Sequence, residues 1–371
     1  MKMKKAVALS TAIGVAIAGL AFAGSASAEP VSNSYVLVGS DTLQDSTNAL
    51  LNGTSVSGSN VRVFTASGSS IGSFDAFGTP AIQTKPGGAF FGRPSGSGAG
   101  VNALRASITG NPYSGNAAVP ARAISGQVDI ARSSSGPGTN ANAAGKLLYV
   151  PYARDAVAYA YKGGTAAWSN ITATQLKQIF DGSLTSIDGV TVHPRLPQAG
   201  SGTRNFFLPA IGYAAGTTSA PGVSDTGNTT PENDATVLAA GDIIPFSVAS
   251  WVAQANGVTG TDSTTTANVA LGSPITGTVA YTGTAPALVP NSAYYSNGSF
   301  GRDTYLVVEY ARVNSADPAY DADLATLVNA PASASSLVNF GTFSSTPGAV
   351  KKKFGFLAPS TTATQRAYAT L

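Results

Sequence analysis

The chain contains no cysteine. That excludes disulfides, thiol nucleophiles and cysteine-bound metals, and it removes the thiol by which a bacterial lipoprotein is tethered. It contains a single histidine, His193, set before Pro194. A histidine in that setting reads as a solvated loop residue, and a metal site would need partners that the sequence does not place around it. No Walker-type loop, zinc motif or calcium loop occurs, so neither a metal nor a cofactor is expected. Charged residues make up only 11% of the chain. The one basic run, Lys351-Lys352-Lys353, reads as a solvated helix face or end. There is no internal repeat, and no apolar run beyond the N-terminal region is long enough to cross a membrane.

The N-terminal 28 residues read as an export signal. Lys2, Lys4 and Lys5 precede an apolar run over 6–23, and Ala26-Ser27-Ala28 fits a small-residue cleavage site. Cleavage after Ala28 predicts a secreted or periplasmic protein without a lipid tether. The alternative is an uncleaved anchor, since the run is nearly long enough to span. The signal also accounts for the formal charge of +3: the 21 basic residues less these three lysines leave 18, matching the 18 acidic ones. A neutral mature chain without basic clusters argues against nucleic acid and anionic membranes as partners.

Residues 29–371 suffice for two domains of ordinary size, and an apolar content of 43% predicts packed cores. Strands are predicted at 35–38, 61–66 and 127–131, with helices at 43–51 and 101–108. The apolar stretch 146–161 contains Pro151, which argues for two strands joined by a crossover, with a hinge near 151–155. Thr172 is a candidate N-cap for a helix through Phe180 that Gly182 ends. A strand at 243–246, a helix at 247–256, a strand at 304–310 and helices at 322–328 and 334–340 complete the reading. Alternating strands and helices imply an α/β fold with a largely parallel sheet. Several strands run into a small-residue loop and then a helix, which puts backbone donors where α/β sheets bind ligands.

Four such loops occur in order along the chain: Gly39-Ser40-Asp41-Thr42-Leu43, Gly96-Ser97-Gly98-Ala99-Gly100, Asp129-Ile130-Ala131-Arg132-Ser133-Ser134 and Gly200-Ser201-Gly202-Thr203. Together with Ile171-Thr172-Ala173-Thr174-Gln175-Leu176-Lys177-Gln178-Ile179-Phe180-Asp181-Gly182, they resemble the ligand loops of phosphate-binding proteins of bacterial ABC importers, over about 36–356. The resemblance implies the two-domain, Venus-flytrap fold of type II periplasmic binding proteins. Each domain would hold a mixed, mainly parallel sheet flanked by helices, and two crossovers would form the hinge. Domain I would take 29–155 and 258–371, and domain II 156–257.

By the same resemblance, an oxyanion would be gripped by neutral donors: the Thr42 hydroxyl, the Leu43 N–H, Ser97, Ser201, Gly202 and Thr203. The family's Asp after the third strand is replaced here by Ser134, next to Ser133. The Asp that orients an Arg is replaced by Ala199, and the nearest Arg is Arg195. Arg132 and Arg204 are further candidates for the anion, although Arg132 has Asp129 and Asp155 as alternative structural partners. The function so implied is non-enzymatic capture of inorganic phosphate or a similar tetrahedral oxyanion by a monomer, for delivery to an ABC permease. Two rival classes stand beside it. One is an extracellular surface or matrix protein that keeps the fold without transport. The other is a phosphoesterase, which would need a general base that the loops lack. Gly68-Ser69-Ser70-Ile71-Gly72 matches a hydrolase elbow, but residues 73–78 make a poor helix start and the lone histidine lies out of order.

Overall fold

The computed structural model describes residues 31–65, 68, 71–223, 230–341 and 343–368. The expected export signal lies outside them, as do Ser69 and Ser70 of the 68–72 motif. In chain order the main elements are β1 (Val36–Gly39), α1 (Gln44–Asn52), α2 (Ser97–Thr109), β2 (Ile130–Ser133), β3 (Leu147–Lys162), α3 (Ala173–Asp181) and α4 (Gly202–Ala210). They continue with β4 (Asp242–Ser247), α5 (Val248–Ala255), β5 (Val269–Gly272), β6 (Gly301–Glu309), α6 (Ala322–Asn329) and α7 (Pro347–Lys353).

One mixed sheet organises them. Its path runs from the short strand His193–Pro194 through β4, β3, β6, β2 and β1 to Gly72–Ser73, and β5 and Gln365–Ala367 also pair with β3. β1 lies parallel to β2, whereas β3 pairs antiparallel with β4, β5 and β6. Helices flank the sheet, so the architecture is the expected α/β one. The sheet is mixed rather than largely parallel, because β3 pairs antiparallel with every neighbour and β6 pairs antiparallel with β2.

β3 is a single strand of 16 residues, not two strands joined by a crossover. Pro151 has no N–H to give a ladder, and the register slips at that point: Pro151 faces Tyr305 while Ala153 faces Thr304. The slip is a bulge at Tyr152, which absorbs the proline without ending the strand. The Tyr152 hydroxyl is anchored 2.8 Å from Ser46 Oγ.

Two further expectations change. Past Val61 the chain keeps its in–out alternation to Thr65 but forms no ladder, because the Val63 N–H bonds Leu50 O at the end of α1. Residues 334–340 form turns rather than a helix. Ser336 Oγ donates to Leu327 O and accepts from the Val338 N–H, and Asn339 Oδ1 accepts from the Gly341 N–H. Short polar side chains here outcompete the helical ladder.

β3 also divides the apolar interior. One buried cluster is drawn from Ala156 to Phe300 and includes Phe180, Phe207, Ile243, Trp251 and Tyr294. Two others are drawn from residues on either side of that span, apart from Ala249 and Ala253 of α5, and are centred on Leu37, Tyr152 and Leu306 and on Val38, Phe91 and Val307. Ala153 belongs to one of these flanking clusters and Ala156 to the central one, so β3 crosses the boundary near Asp155.

Candidate functional site

The expected loops meet at that boundary. β1 ends at Gly39, whose φ is +111°, and a Cβ there would lie 2.6 Å from Arg132 O. Gly100 brings α2 against it so closely that its own Cβ would lie 2.5 Å from Gly39 Cα. Only glycine at these two positions lets the start of α2 seat against the end of β1. Ser97 at the first turn of α2 then reaches Ser134 just beyond β2. Their hydroxyls are 3.0 Å apart, and the Ser134 N–H donates to Ser97 Oγ at 2.9 Å.

The fourth loop closes over this pair. A Cβ on Gly202 would lie 2.4 Å from both the Ser97 and Ser134 hydroxyls, so no larger residue fits. The Gly98 N–H donates to Gly200 O at 3.0 Å. Ser201 caps α4 by accepting the Arg204 N–H at 3.0 Å. Thr42, Leu43, Ser97, Ser134, Ser201 and Thr203 are all buried, and Gly202 is buried with them. Leu43 places its side chain in an apolar core while its carbonyl accepts from Ser46, Thr47 and the first turn of α1.

The arginine at the centre is Arg302, which no sequence pattern singled out. It lies opposite Asp155 in the antiparallel register of β3 and β6. Its Nε and Nη2 donate to Asp155 Oδ2 at 3.1 and 2.8 Å, and Nη2 also donates to Thr203 Oγ1 at 2.9 Å and reaches Thr42 Oγ1 at 3.5 Å. Asp155 accepts in addition from Ser247 Oγ and from the Ala249 N–H at the start of α5. Arg302 is 3% exposed, packs over the Phe206 ring, and its Nη1 has no hydrogen-bond partner among the described residues. The pair thus joins β3, β6, α4, α5 and the loop after β1.

Several expected residues are placed differently. Arg132 does not face this cluster. It donates to Ser40 O, Ser73 Oγ and Phe74 O beneath the first loop, and burial lowers its pKa to about 10. Neither Asp129 nor Asp155 pairs with it: Asp129 holds Lys85 and Arg312, and Asp155 holds Arg302. Arg195 pairs with Asp242 at 3.2 Å, at the opposite end of β4 from Ser247. The Ser133 hydroxyl turns back to Ser135 O. Arg204 is spent on Thr218 O and Pro197 O.

Two carboxyl groups complete the cluster. Glu232 is 2% exposed and accepts through Oε1 from the Thr42 hydroxyl at 3.2 Å and through Oε2 from the Ser201 hydroxyl. It forms no ion pair among the described residues. Asp41, also 2% exposed, sits beside it with neither oxygen receiving a donor from the described residues. Burial first, and the Glu232 carboxylate second, hold the Asp41 pKa well above the ordinary carboxylate range. Asp41 was visible as the one charge in an otherwise neutral loop. Glu232 is one of only three glutamates, with Glu29 and Glu309, and comes directly after Pro231. Its scarcity was the only signal.

No three His, Cys, Asp or Glu residues are grouped as metal ligands among the described residues, and no described helix is long and apolar enough to cross a membrane. A family model described as a PBP superfamily domain matches residues 55–308. No curated protein matches the chain. Among solved structures, an ABC-type phosphate transport receptor from Vibrio cholerae is similar at 14% identity, over 88% of this chain and 100% of its own, with a TM-score of 0.49. A phosphate binding protein from Stenotrophomonas maltophilia is similar at 14% identity over 89% and 91%, with a TM-score of 0.47. PstS from Borrelia burgdorferi is similar at 13% identity over 88% and 99%, with a TM-score of 0.40.

Proposed function

This chain belongs to the PBP superfamily, and on that premise we propose that it is an exported binding protein that captures a tetrahedral oxyanion, with inorganic phosphate as the first candidate. One observation carries the reading. Hydroxyls from two loops far apart in sequence, Thr42 and Ser201, already converge on the two oxygens of one carboxylate. An arrangement that satisfies the oxygens of one anion is suited to those of another. Ser97 and Ser134, packed against Gly202, and Arg302, whose Nη2 reaches Thr42 and Thr203, are the further donors of these loops. Fixed dipoles in a water-excluded site hold an anion without having to reorganise.

Capture works by closure, without chemistry. In this proposal 156–300 moves as one body against the remainder. The boundary at 257 expected from sequence is moved to near 300, because β5, Tyr294, Tyr295 and Phe300 pack with the 156–255 core. Delivery to a membrane permease is the transport form of this function, and retention as an extracellular phosphate-holding protein is its other form. Permease and ATPase genes beside this one would favour the first.

Titration calorimetry of the mature chain, stripped of ligand, tests the reading with phosphate and separately with sulfate. Saturable phosphate binding is expected. Each hydrogen bond to a charged group is worth about 1.5–3 kcal/mol, so Ser201→Ala alone should weaken binding by at least about tenfold. Joint replacement of Thr42, Ser97 and Ser201 by alanine should abolish it. Unchanged affinity in the triple variant would overturn the assignment.

A further inference from the structure

We propose that Glu232 is a built-in competitor: its carboxylate occupies the oxyanion seat and must leave before a ligand enters. The inference rests on the oxyanion reading and adds its regulation. Three observations carry it. Glu232 takes the Thr42 and Ser201 hydroxyls, two of the donors an oxyanion would use. It is buried without a cationic partner among the described residues, and Arg302, the nearest cation by connectivity, is engaged with Asp155, Thr203 and Thr42 instead. It is buried beside Asp41, a second carboxyl group.

A side chain that served packing alone would avoid this position. A buried carboxylate next to another carboxyl is unfavourable unless donors satisfy it, and the donors here are hydroxyls of the ligand loops. Its seat is therefore held by the same hydrogen bonds that a ligand would take. A tetrahedral oxyanion brings four oxygens where Glu232 brings two, so it can also use Ser97, Ser134 and the unpartnered Arg302 Nη1. Exchange of one anion for the other is then close to balanced. The apparent affinity falls by the fraction of molecules in which the seat is empty. The charged and titratable groups facing the seat are Asp41 from the first loop and, through Thr42 and Thr203, the Arg302–Asp155 pair from β6 and β3.

The test compares wild type, Glu232→Gln and Glu232→Ala in phosphate titrations, with a thermal-shift series in sodium formate. Removing the competitor should tighten phosphate binding by about tenfold or more in Glu232→Ala, with Glu232→Gln between it and wild type. Formate should stabilise Glu232→Ala, by refilling the vacated seat, and leave wild type unmoved. Phosphate binding that is equal or weaker in both variants, with no formate effect, overturns the competitor while leaving the oxyanion site intact. Absence of phosphate binding in all three proteins overturns the oxyanion reading and the competitor with it. Should the alanine variant fail to fold, the near-isosteric glutamine variant decides by the same criterion of tighter or not tighter binding.

Discussion

At the scale of single residues, Arg302 and Asp155 separate stability from binding. Removing one member of a buried pair strands the other, so Asp155→Ala should cost about 3–5 kcal/mol. The double variant Asp155→Leu with Arg302→Met removes both charges and should recover most of that loss, while phosphate binding stays weak because the Arg302 donors are gone. Chemical denaturation and calorimetry on the single and double variants check both halves. A double variant as unstable as Asp155→Ala would mean that the pair is needed for the fold itself. The hydroxyl positions of this site were legible in the sequence because each lies within a short Gly-Ser or Ser-Thr loop. The charged positions were not, since Asp155 meets Arg302 only through a strand register spanning 147 positions. Arg132 and Arg195 drew attention by proximity in sequence. The first is consumed by carbonyls and a hydroxyl beneath the loop, and the second by Asp242.

At the scale of elements, local signals predicted local structure. Thr172 caps α3 and Gly182 ends it in a left-handed conformation, as their sequence positions implied, and Gln175 makes the cap reciprocal. The failures lie where a partner is remote: β3 reads as broken until β6 is laid beside it. α7 gives the sharpest case. It ends in Lys351-Lys352-Lys353 as expected, yet Lys351 is 0% exposed instead of solvated. Its Nζ donates to Tyr152 O and Leu337 O at 2.8 and 2.9 Å and lies 4.2 Å from the centre of the Tyr152 ring. No carboxylate pairs with it among the described residues, and burial pushes its pKa well below the ordinary lysine value. A base whose pKa falls on folding contributes no penalty above its unfolded value. It loses stability as pH falls through that value toward the folded one. The melting temperature of Lys351→Met should therefore gain on wild type as pH is lowered from about 10.5, the unfolded lysine value, to neutrality. Parallel pH profiles for the two proteins would refute the assignment.

At the scale of the whole molecule, α2 and α4 meet across the site through the Gly98 N–H to Gly200 O hydrogen bond. If Glu232 holds the empty protein shut, Glu232→Ala should exchange the Gly98 and Ser134 amide hydrogens faster than wild type, and phosphate should restore protection. Equal exchange in the two ligand-free proteins would show that closure does not depend on that carboxylate. The family was legible because its loops recur in a fixed order along the chain. The path of β3 across the cluster boundary was not, and in the proposed closure it would set how the molecule moves. A hinge made of loose loop is a slack tether. β3 is more like a leaf spring clamped at both ends, by β6 along 147–156 and by β4 and β5 along 157–162. In the proposed capture cycle, displacing the two ends of such a spring would meet a restoring torque, so the strand itself would return the molecule to its resting angle once an anion leaves.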